Sequence, residues 1–219
     1  MDRRAFSRNA ASLAGAFALA GAGLPARARA QGVVPVEGRD YRTLARPVAV
    51  PADGRIEVIE FFWYGCPHCF VFEPFIEPWI MSLPPHVHFS RVPVGFDVHR
   101  QIHQRIFYTW EALGVVDQMH LRTFTRFHVQ SKPIDSVDAM VAFAEESGLD
   151  GAKVRATWNS FGVQSRCAAA IQLEDGYRID NTPEMAVAGR FTAVAQGAGG
   201  FSGVLKTTQW RVDRVERGA

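Results

Sequence analysis

Two cysteines, Cys66 and Cys69, are separated only by Pro67 and His68 and directly follow a short apolar run. Two thiols at this spacing can close a small ring, which is typical of a redox-active dithiol. Pro67 suits the first turn of a helix, so Cys66 is expected at a helix N-terminus. Unpaired backbone N–H groups and the helix dipole stabilise a thiolate there and lower its pKa. The motif predicts a nucleophilic thiolate at Cys66 and a buried partner thiol at Cys69.

His68 lies between the two cysteines and can donate a hydrogen bond or carry positive charge beside the thiolate. A group that stabilises the thiolate also stabilises the reduced form of the dithiol. The disulfide then becomes more oxidising, and Cys66 becomes a better leaving group. We therefore expect thiol–disulfide exchange at Cys66, supported by Pro67 and His68.

Two other interpretations of the cysteine pair are weaker. A zinc site could combine Cys66 and Cys69 with His99 and His103, but 29 residues separate Cys69 from His99. Compact zinc fingers have about 12–15 residues at that point. A purely structural disulfide would close a very small loop and constrain the chain little. We expect no metal site and no cofactor.

The flanking sequence predicts elements that could position this dithiol. Residues 56–64 form an apolar run of strand length, and Gly65 ends it. The next residues place apolar side chains at helical spacing, although Pro74 and Pro78 should kink that helix. Residues 87–96 predict the next strand. The order is strand, helix, strand, which predicts an α/β fold.

The remaining chain changes character after the second strand. Helical patterns occupy residues 98–113, 116–128, 136–147 and 150–173. Strand signals return at 185–187 and 190–195, joined by Ala188 and Gly189 as a hairpin turn. Ser202 can cap a final helix that runs to Arg217. A helical block thus separates the first strands from the last ones.

The segment from Phe61 to Cys69 (FFWYGCPHC) resembles the active-site segment of the DsbA family of periplasmic thiol:disulfide oxidoreductases. Residues 112–115 and 158–161 resemble that family's helical insert, and Thr182-Pro183 falls where its cis-proline loop belongs. The resemblance implies an α/β thioredoxin-like fold with an inserted all-helical domain. It divides the chain into a first thioredoxin-like part, the insertion domain and a second thioredoxin-like part, at 31–97, 98–177 and 178–219.

The resemblance also implies an activity and partners. Such a protein would be a protein disulfide oxidoreductase that donates its disulfide to reduced, unfolded exported proteins through a mixed disulfide at Cys66. A DsbB-like membrane oxidase linked to quinone would reoxidise it. A reductase or isomerase using the same dithiol is the alternative, and a non-catalytic peptide- or zinc-binding module is a further one. Residues 31–55 are too short for a dimerisation domain, so we expect a monomer.

Further site residues follow from matching this sequence to the family. Pro183 resembles the cis-proline that faces the dithiol and offers backbone groups to a bound peptide. Thr182 precedes it where oxidases commonly have Val, and its hydroxyl could hydrogen-bond near the Cys66 sulfur. Glu60 matches an acid beneath the dithiol that helps to move the proton of the inner cysteine, and Arg91 matches its basic partner. A structural Glu60–Arg91 ion pair remains an equal interpretation.

Several other polar residues have less specific interpretations. Glu73 also matches a family acid, but a solvated position on the helix is the first expectation. Cys167 is expected to be a buried small apolar residue on the last long insert helix, with a reactive thiol as the minority interpretation. His99 and His103 share a helix face and are expected at the surface or an interface.

The first thirty residues predict an export signal. Three arginines occur within the first eight positions, residues 11–24 are uncharged and apolar, and Ala28-Arg29-Ala30 is a small-x-small cleavage pattern. A 14-residue apolar run is short of the roughly 20 residues that span a bilayer, so a membrane anchor is disfavoured. The Arg3-Arg4 pair also resembles a twin-arginine signal, and the ordinary secretory route remains open. Either route places the mature protein outside the cytoplasm, and the family resemblance implies the periplasm.

Net charge excludes one further class of partner. The full chain has 24 basic and 22 acidic residues, but the export segment holds five arginines and one acid. The rest has 19 basic against 21 acidic residues. No strongly basic surface is therefore expected, and we expect no nucleic acid partner.

Overall fold

The structure, a computed structural model, describes residues 34–195 and 199–218. The predicted export signal at 1–30 lies outside the described residues. Within the described part, no helix is both long enough and apolar enough to cross a membrane.

A mixed five-stranded sheet lies at the centre of the fold. The strands are β1 (Arg42–Thr43), β2 (Ile56–Phe62), β3 (Val87–Pro93), β4 (Glu184–Val187) and β5 (Phe191–Val194). Their order across the sheet is β1-β5-β4-β2-β3. The β2–β3 pair is parallel, and the other three pairs are antiparallel. The central position of β2 places the residues that follow it in the middle of the sheet edge.

Within the part of the chain that the structure describes, seven helices surround the sheet. They are α1 (Pro67–Met81), α2 (Val98–Leu113), α3 (Val116–His128), α4 (Val137–Glu146), α5 (Gly151–Trp158), α6 (Phe161–Tyr177) and α7 (Gly200–Glu216). Five of them, α2 to α6, lie between β3 and β4 in the chain. The predicted order of strand, helix, strand, helical block, hairpin and helix is confirmed.

Helix α1 begins where the sequence predicted. Cys66 is its N-cap in an extended conformation, and Pro67 occupies the first helical position, where a missing N–H costs nothing. The helix continues through Pro74 and Pro78 to Met81. Two of its apolar side chains, Phe72 and Ile76, are fully buried. The dithiol is thus attached to a helix anchored in the core.

Side-chain caps set the starts of most insert helices. Asp97, Ser136, Asp150 and Ser160 each accept a hydrogen bond from the backbone N–H three residues later. The single helix predicted at 150–173 is wrong, because the chain breaks at Asn159 and Ser160 then caps a new helix. The predicted Ser202 cap is also wrong, since α7 already begins at Gly200.

The β4–β5 hairpin turns at Ala188 and Gly189, as predicted. Both residues have positive φ, 53° and 67°. A Cβ at Gly189 would lie 2.1 Å from the Val48 carbonyl oxygen, so the segment before β2 packs directly on this turn. The Val48 N–H donates to the Gly189 carbonyl at 2.7 Å. The turn therefore requires glycine for both its backbone angle and its contact.

The sheet has a hydrophobic cluster on each face. Val58 faces a cluster shared with α1 and α7, which includes Phe72, Ile76 and Val212. The neighbouring residues Ile59 and Phe61 belong to a larger cluster shared with the insert helices, whose buried members include Ile106, Trp110, Met119, Phe124, Met140, Val154 and Tyr177. The insert helices therefore share their core with the sheet.

Candidate active site

Both cysteines of the motif lie at the start of α1, and both are free thiols. Cys66 is nearly buried and Cys69 is completely buried, whereas Pro67 and His68 are exposed. The Cys66 backbone N–H donates to the Trp63 carbonyl at 2.9 Å, which fixes the bend between β2 and α1. Cys66 is consequently the thiol that a macromolecular reactant meets first.

The two thiols have opposite acidities. A hydrogen bond from the Cys69 side chain, opposed by burial, lowers the pKa of Cys66 to about 5. Hydrogen bonds from the Thr182 side chain and from the His68 and Cys69 backbone N–H groups add to this effect. Burial raises the pKa of Cys69 well above its ordinary value. The site can therefore hold a thiolate at Cys66 and a protonated thiol at Cys69.

A cis peptide bond faces the dithiol at Thr182-Pro183, as the resemblance implied. The Cys66 thiol donates to the Thr182 carbonyl oxygen at 3.4 Å. A cleft of about 170 Å³ lies beside this contact, and its lining includes His68, Pro183 and Phe201. An extended peptide in this cleft would lie next to the Cys66 sulfur.

A buried charge cluster lies on the α1 side of the sheet. Arg91 donates to Glu60 at 3.0 Å, to Glu73 at 3.4 Å and to Glu77 at 2.6 Å. The predicted Glu60–Arg91 pair is therefore present, and Glu60 is completely buried. The expectation of a solvated Glu73 is wrong, because this side chain is 3% exposed. It faces inward because α1 turns the Cys69, Phe72 and Glu73 side of the helix toward the core.

The two buried carboxyl groups of this cluster, Glu60 and Glu73, have raised pKa values. Burial, partly offset by Arg91, raises the pKa of Glu60 to about 8 and that of Glu73 to about 7. Burial alone would lower the pKa of Arg91, but the charges of Glu60 and Glu73 outweigh it and raise that pKa. Glu60 also raises the pKa of Cys69 through its charge. The cluster can exchange a proton near neutral pH close to the inner thiol.

Residues 63–65, here called the active-site loop, are held by three histidines of the insert. The Trp63 indole N–H donates to His103 Nδ1 at 2.6 Å. The Tyr64 hydroxyl lies 2.9 Å from His120 Nδ1, and His128 Nε2 donates to the Tyr64 carbonyl at 2.8 Å. The loop that orients Cys66 is thus fastened to α2 and α3.

Sequence reasoning missed these histidines. His103 was expected at the surface or an interface, but it is 1% exposed within this chain because Trp63 and Phe127 pack against its ring. His120 is also buried, and its Nε2 lies 3.2 Å from Glu73 Oε1. His120 and His128 are eight residues apart on α3, a spacing that puts them on one helix face. That spacing was the signal available in the sequence.

The structure brings most of the predicted residues together. Cys66, Cys69, Pro67 and His68 share the first turn of α1, and Thr182 and Pro183 face them. Glu60, Arg91 and Glu73 form the cluster described above. Cys167 lies apart on α6, where it is half-buried against the larger core and burial raises its pKa to about 11.

A parallel strand–helix–strand unit, an antiparallel hairpin and a dithiol at a helix N-terminus opposite a cis-proline define a thioredoxin-fold dithiol protein. A family model described as DSBA-like thioredoxin domain matches residues 82–205. The thiol:disulfide interchange protein DsbA of Pseudomonas aeruginosa is 37% identical over 182 residues, 83% of this chain and 86% of that protein. The chain belongs to the DsbA family.

Further comparisons agree with this assignment. The thiol:disulfide interchange protein DsbA of Burkholderia cepacia is 34% identical over 191 residues, which are 86% of this chain and 90% of that protein. A crystal structure of Pseudomonas aeruginosa DsbA superposes with a TM-score of 0.81 at 35% identity, over 84% of this chain and 96% of that one. The protein is thus a disulfide oxidoreductase with a thioredoxin-like α/β fold, and both predictions are confirmed.

Proposed function

We propose that this disulfide oxidoreductase works as a donor oxidase, passing a Cys66–Cys69 disulfide to reduced exported proteins. The observation that carries the proposal is the contrast between the two thiols, a stabilised thiolate at Cys66 and a buried, protonated Cys69. A stabilised thiolate favours the reduced form of the protein, so the disulfide is given up readily. A reductase would have a less acidic Cys66 thiol, because a less stabilised thiolate makes the disulfide less oxidising.

The reaction takes place in two exchanges. A substrate thiolate attacks Cys66 Sγ, the Cys66–Cys69 bond breaks, and Cys69 leaves with the electron pair and takes up a proton. A second substrate thiolate then attacks the substrate sulfur of the mixed disulfide, and Cys66 leaves as the thiolate. The substrate loses two electrons and the dithiol gains them.

The neighbouring residues have supporting roles in this proposal. The backbone N–H groups of His68 and Cys69 stabilise the leaving thiolate, and Pro67 begins the helix that presents them. Thr182 and Pro183 border the cleft that would bind the substrate peptide. Apolar lining residues such as Phe201 favour unfolded chains, which expose apolar side chains.

Glu60, Arg91 and Glu73 would serve the inner thiol. Glu60 or Glu73 would take and return the Cys69 proton, since their pKa values of about 8 and about 7 allow both charge states near neutral pH. Arg91 would hold the two carboxyl groups in place. In this proposal Arg91 is a positioning residue, and Glu60 and Glu73 are proton-transfer residues.

The cellular setting follows from the same proposal. Residues 1–30 would direct export and be removed, and the mature protein would act in the periplasm as a monomer. A DsbB-like membrane oxidase linked to quinone would restore the disulfide. Disulfide chemistry of this kind needs an oxidising compartment.

The test is a redox titration of the purified protein against glutathione buffers, read by thiol trapping. We expect one two-electron transition under mildly oxidising buffer, and loss of that transition in both Cys66→Ser and Cys69→Ser. Cys167→Ala is the matched control and should leave the transition unchanged. A transition that needs strongly reducing buffer would assign the dithiol to a reductase instead.

A further inference from the structure

Two histidines of α2 and one carboxylate converge beside the active-site loop. His99 and His103 are four residues apart and share a helix face. Asp135 comes from the segment before α4, and its Oδ1 lies 3.9 Å from His99 Nδ1 and 3.8 Å from His103 Nε2. The three donor atoms all lie within 4.8 Å of one another. Neither cysteine belongs to this group, unlike the zinc arrangement considered from the sequence.

The buried member of the group has an unsatisfied nitrogen. His103 is 1% exposed, and its Nε2 atom has no hydrogen-bond partner among the described residues. An unpaired buried polar atom is destabilising, so such an atom in a native fold calls for a partner, and an ion is one group that can supply it. This nitrogen faces the gap that His99 and Asp135 border.

We propose that His99, His103 and Asp135 bind a divalent first-row transition-metal ion, with Zn²⁺ as the best-suited probe. Imidazole nitrogens and a carboxylate oxygen are ligands that Zn²⁺ accepts, and three protein ligands leave a position for water. Nitrogen and oxygen ligands about 2.0–2.2 Å from Zn²⁺ lie roughly 3.3 Å apart in a tetrahedral site. The two separations to Asp135 Oδ1, 3.9 Å and 3.8 Å, must therefore shorten by about half an ångström, and the two imidazoles must also approach each other.

The side chains that must move are the mobile ones. His99 and Asp135 have side chains 54% and 52% exposed, whereas His103 is fixed by its packing. Asp135 directly precedes Ser136, the N-cap of α4, so its backbone is anchored. Arg100, the residue after His99, lies over the Trp63 ring and is paired with Asp97. Because Arg100 is paired with Asp97, the Asp135 carboxylate can attract a metal cation instead.

Metal binding would act on the active-site loop through one proton. The Trp63 N–H donates to His103 Nδ1, so neutral His103 carries its own proton on Nε2. An ion bound at Nε2 displaces that proton to Nδ1, where it meets the Trp63 N–H. Two donors cannot share a hydrogen bond, so the indole must leave His103. The ion thus competes with a contact that holds the residue three positions before Cys66.

Competition between the ion and the Trp63 N–H for His103 predicts how individual substitutions change the Zn²⁺ affinity. Trp63→Phe removes the donor and should tighten Zn²⁺ binding about three- to tenfold, since a net hydrogen bond has that weight. His99→Gln and Asp135→Asn should each weaken binding at least about tenfold, because each removes a ligand. His86→Gln, an exposed histidine beside Glu216, is the matched control and should change nothing.

The experiment is calorimetric titration of Zn²⁺ into the full-length protein in its oxidised form, in a Cys167→Ala background. No free thiol then remains to bind the ion. We expect one ion per chain and the order of affinities given above, with a change in tryptophan emission that is absent in Trp63→Phe. If His99→Gln and Asp135→Asn bind Zn²⁺ as tightly as the protein that keeps both ligands, or if binding does not saturate below about 1 mM Zn²⁺, the proposal is overturned.

Discussion

At the residue scale, hydrogen bonds account for the acidity of Cys66. The contributions come from the Cys69 and Thr182 side chains and from two backbone N–H groups, while burial opposes them. His68 contributes through its backbone N–H. The proposed oxidising character therefore depends on the geometry of the helix start and of the cis-proline loop.

Replacing Thr182 by Val should raise the Cys66 pKa. The hydrogen bond from the Thr182 side chain would be lost, and one hydrogen bond to a charged group corresponds to a change from about 5 to about 6. Ultraviolet absorbance of the thiolate, followed against pH, measures this value. Thr157→Val on α5 should leave it unchanged. An unaltered pKa in Thr182→Val would assign the acidity to the other donors.

The stability of the reduced protein should depend on pH in one direction. Folding lowers the Cys66 pKa from 9.0 to about 5, so the folded thiolate stabilises the reduced protein. This stabilisation is complete above about pH 9 and is lost as the pH falls through about 5. Urea unfolding of both redox forms between these limits tests it. The oxidised form has no Cys66 thiol and should lack this dependence.

At the element scale, the bend between β2 and α1 is fixed from both sides. The Trp63 carbonyl accepts from Cys66 within the bend, and His103, His120 and His128 hold it from the insert. Arg91 of β3 joins the β2 strand to α1 through Glu60 and Glu73. Contacts from four elements, α2, α3, β2 and β3, thus position the dithiol.

Gly65→Ala should destabilise this bend. A Cβ at Gly65 would lie 2.3 Å from the Trp63 ring, so the indole must shift. We expect a loss of about 1–3 kcal/mol in urea unfolding, together with altered tryptophan emission. Gly162→Ala is the matched control, because its Cβ would meet only Ser160 Oγ at 3.9 Å. Equal stability of the two variants would contradict this account.

Arg91→Met should be strongly destabilising. It leaves Glu60 and Glu73 buried without their cation, and removal of one partner from a buried pair costs about 3–5 kcal/mol. The free energy of unfolding at neutral pH measures the loss. Adding Glu60→Gln to Arg91→Met should restore part of it, because a neutral amide needs no countercharge. No recovery in the double variant would argue against an electrostatic cause.

At the scale of the whole molecule, the insert and the sheet share one hydrophobic cluster. Phe61 and Phe62 of β2 pack in the same cluster as Trp110 of α2 and Met140 of α4. The described residues from Pro35 onward form one compact unit by their contacts. The division at 31–97, 98–177 and 178–219 stays a prediction.

This shared core should make unfolding cooperative. We expect the loss of helix, followed by far-ultraviolet circular dichroism, to coincide with the change in tryptophan emission in urea. Tryptophans report on both regions, since Trp110 and Trp158 lie in the insert and Trp79 and Trp210 lie on α1 and α7. Two separated transitions would show that the insert is an independent folding unit.

The sequence by itself determined the dithiol, its place at a helix start, the order of elements and, through the family resemblance, the cis-proline. These features depend on residues that are close together in the sequence or on a motif of fixed spacing, so a short segment of sequence is enough to predict them. The end of α5 at Asn159 and the start of α7 at Gly200 were predicted wrongly. Helix boundaries are hard to place from sequence because residues able to cap a helix occur at several adjacent positions.

Only the tertiary structure decided which polar side chains surround the dithiol. Glu73 lies 47 positions from His120, and Trp63 lies 40 positions from His103. Helical spacing predicts which residues share a helix face, but it does not predict which other elements pack against that face. Packing of α1, α2 and α3 against the sheet buries these groups and pairs them, and burial is what shifts their pKa values.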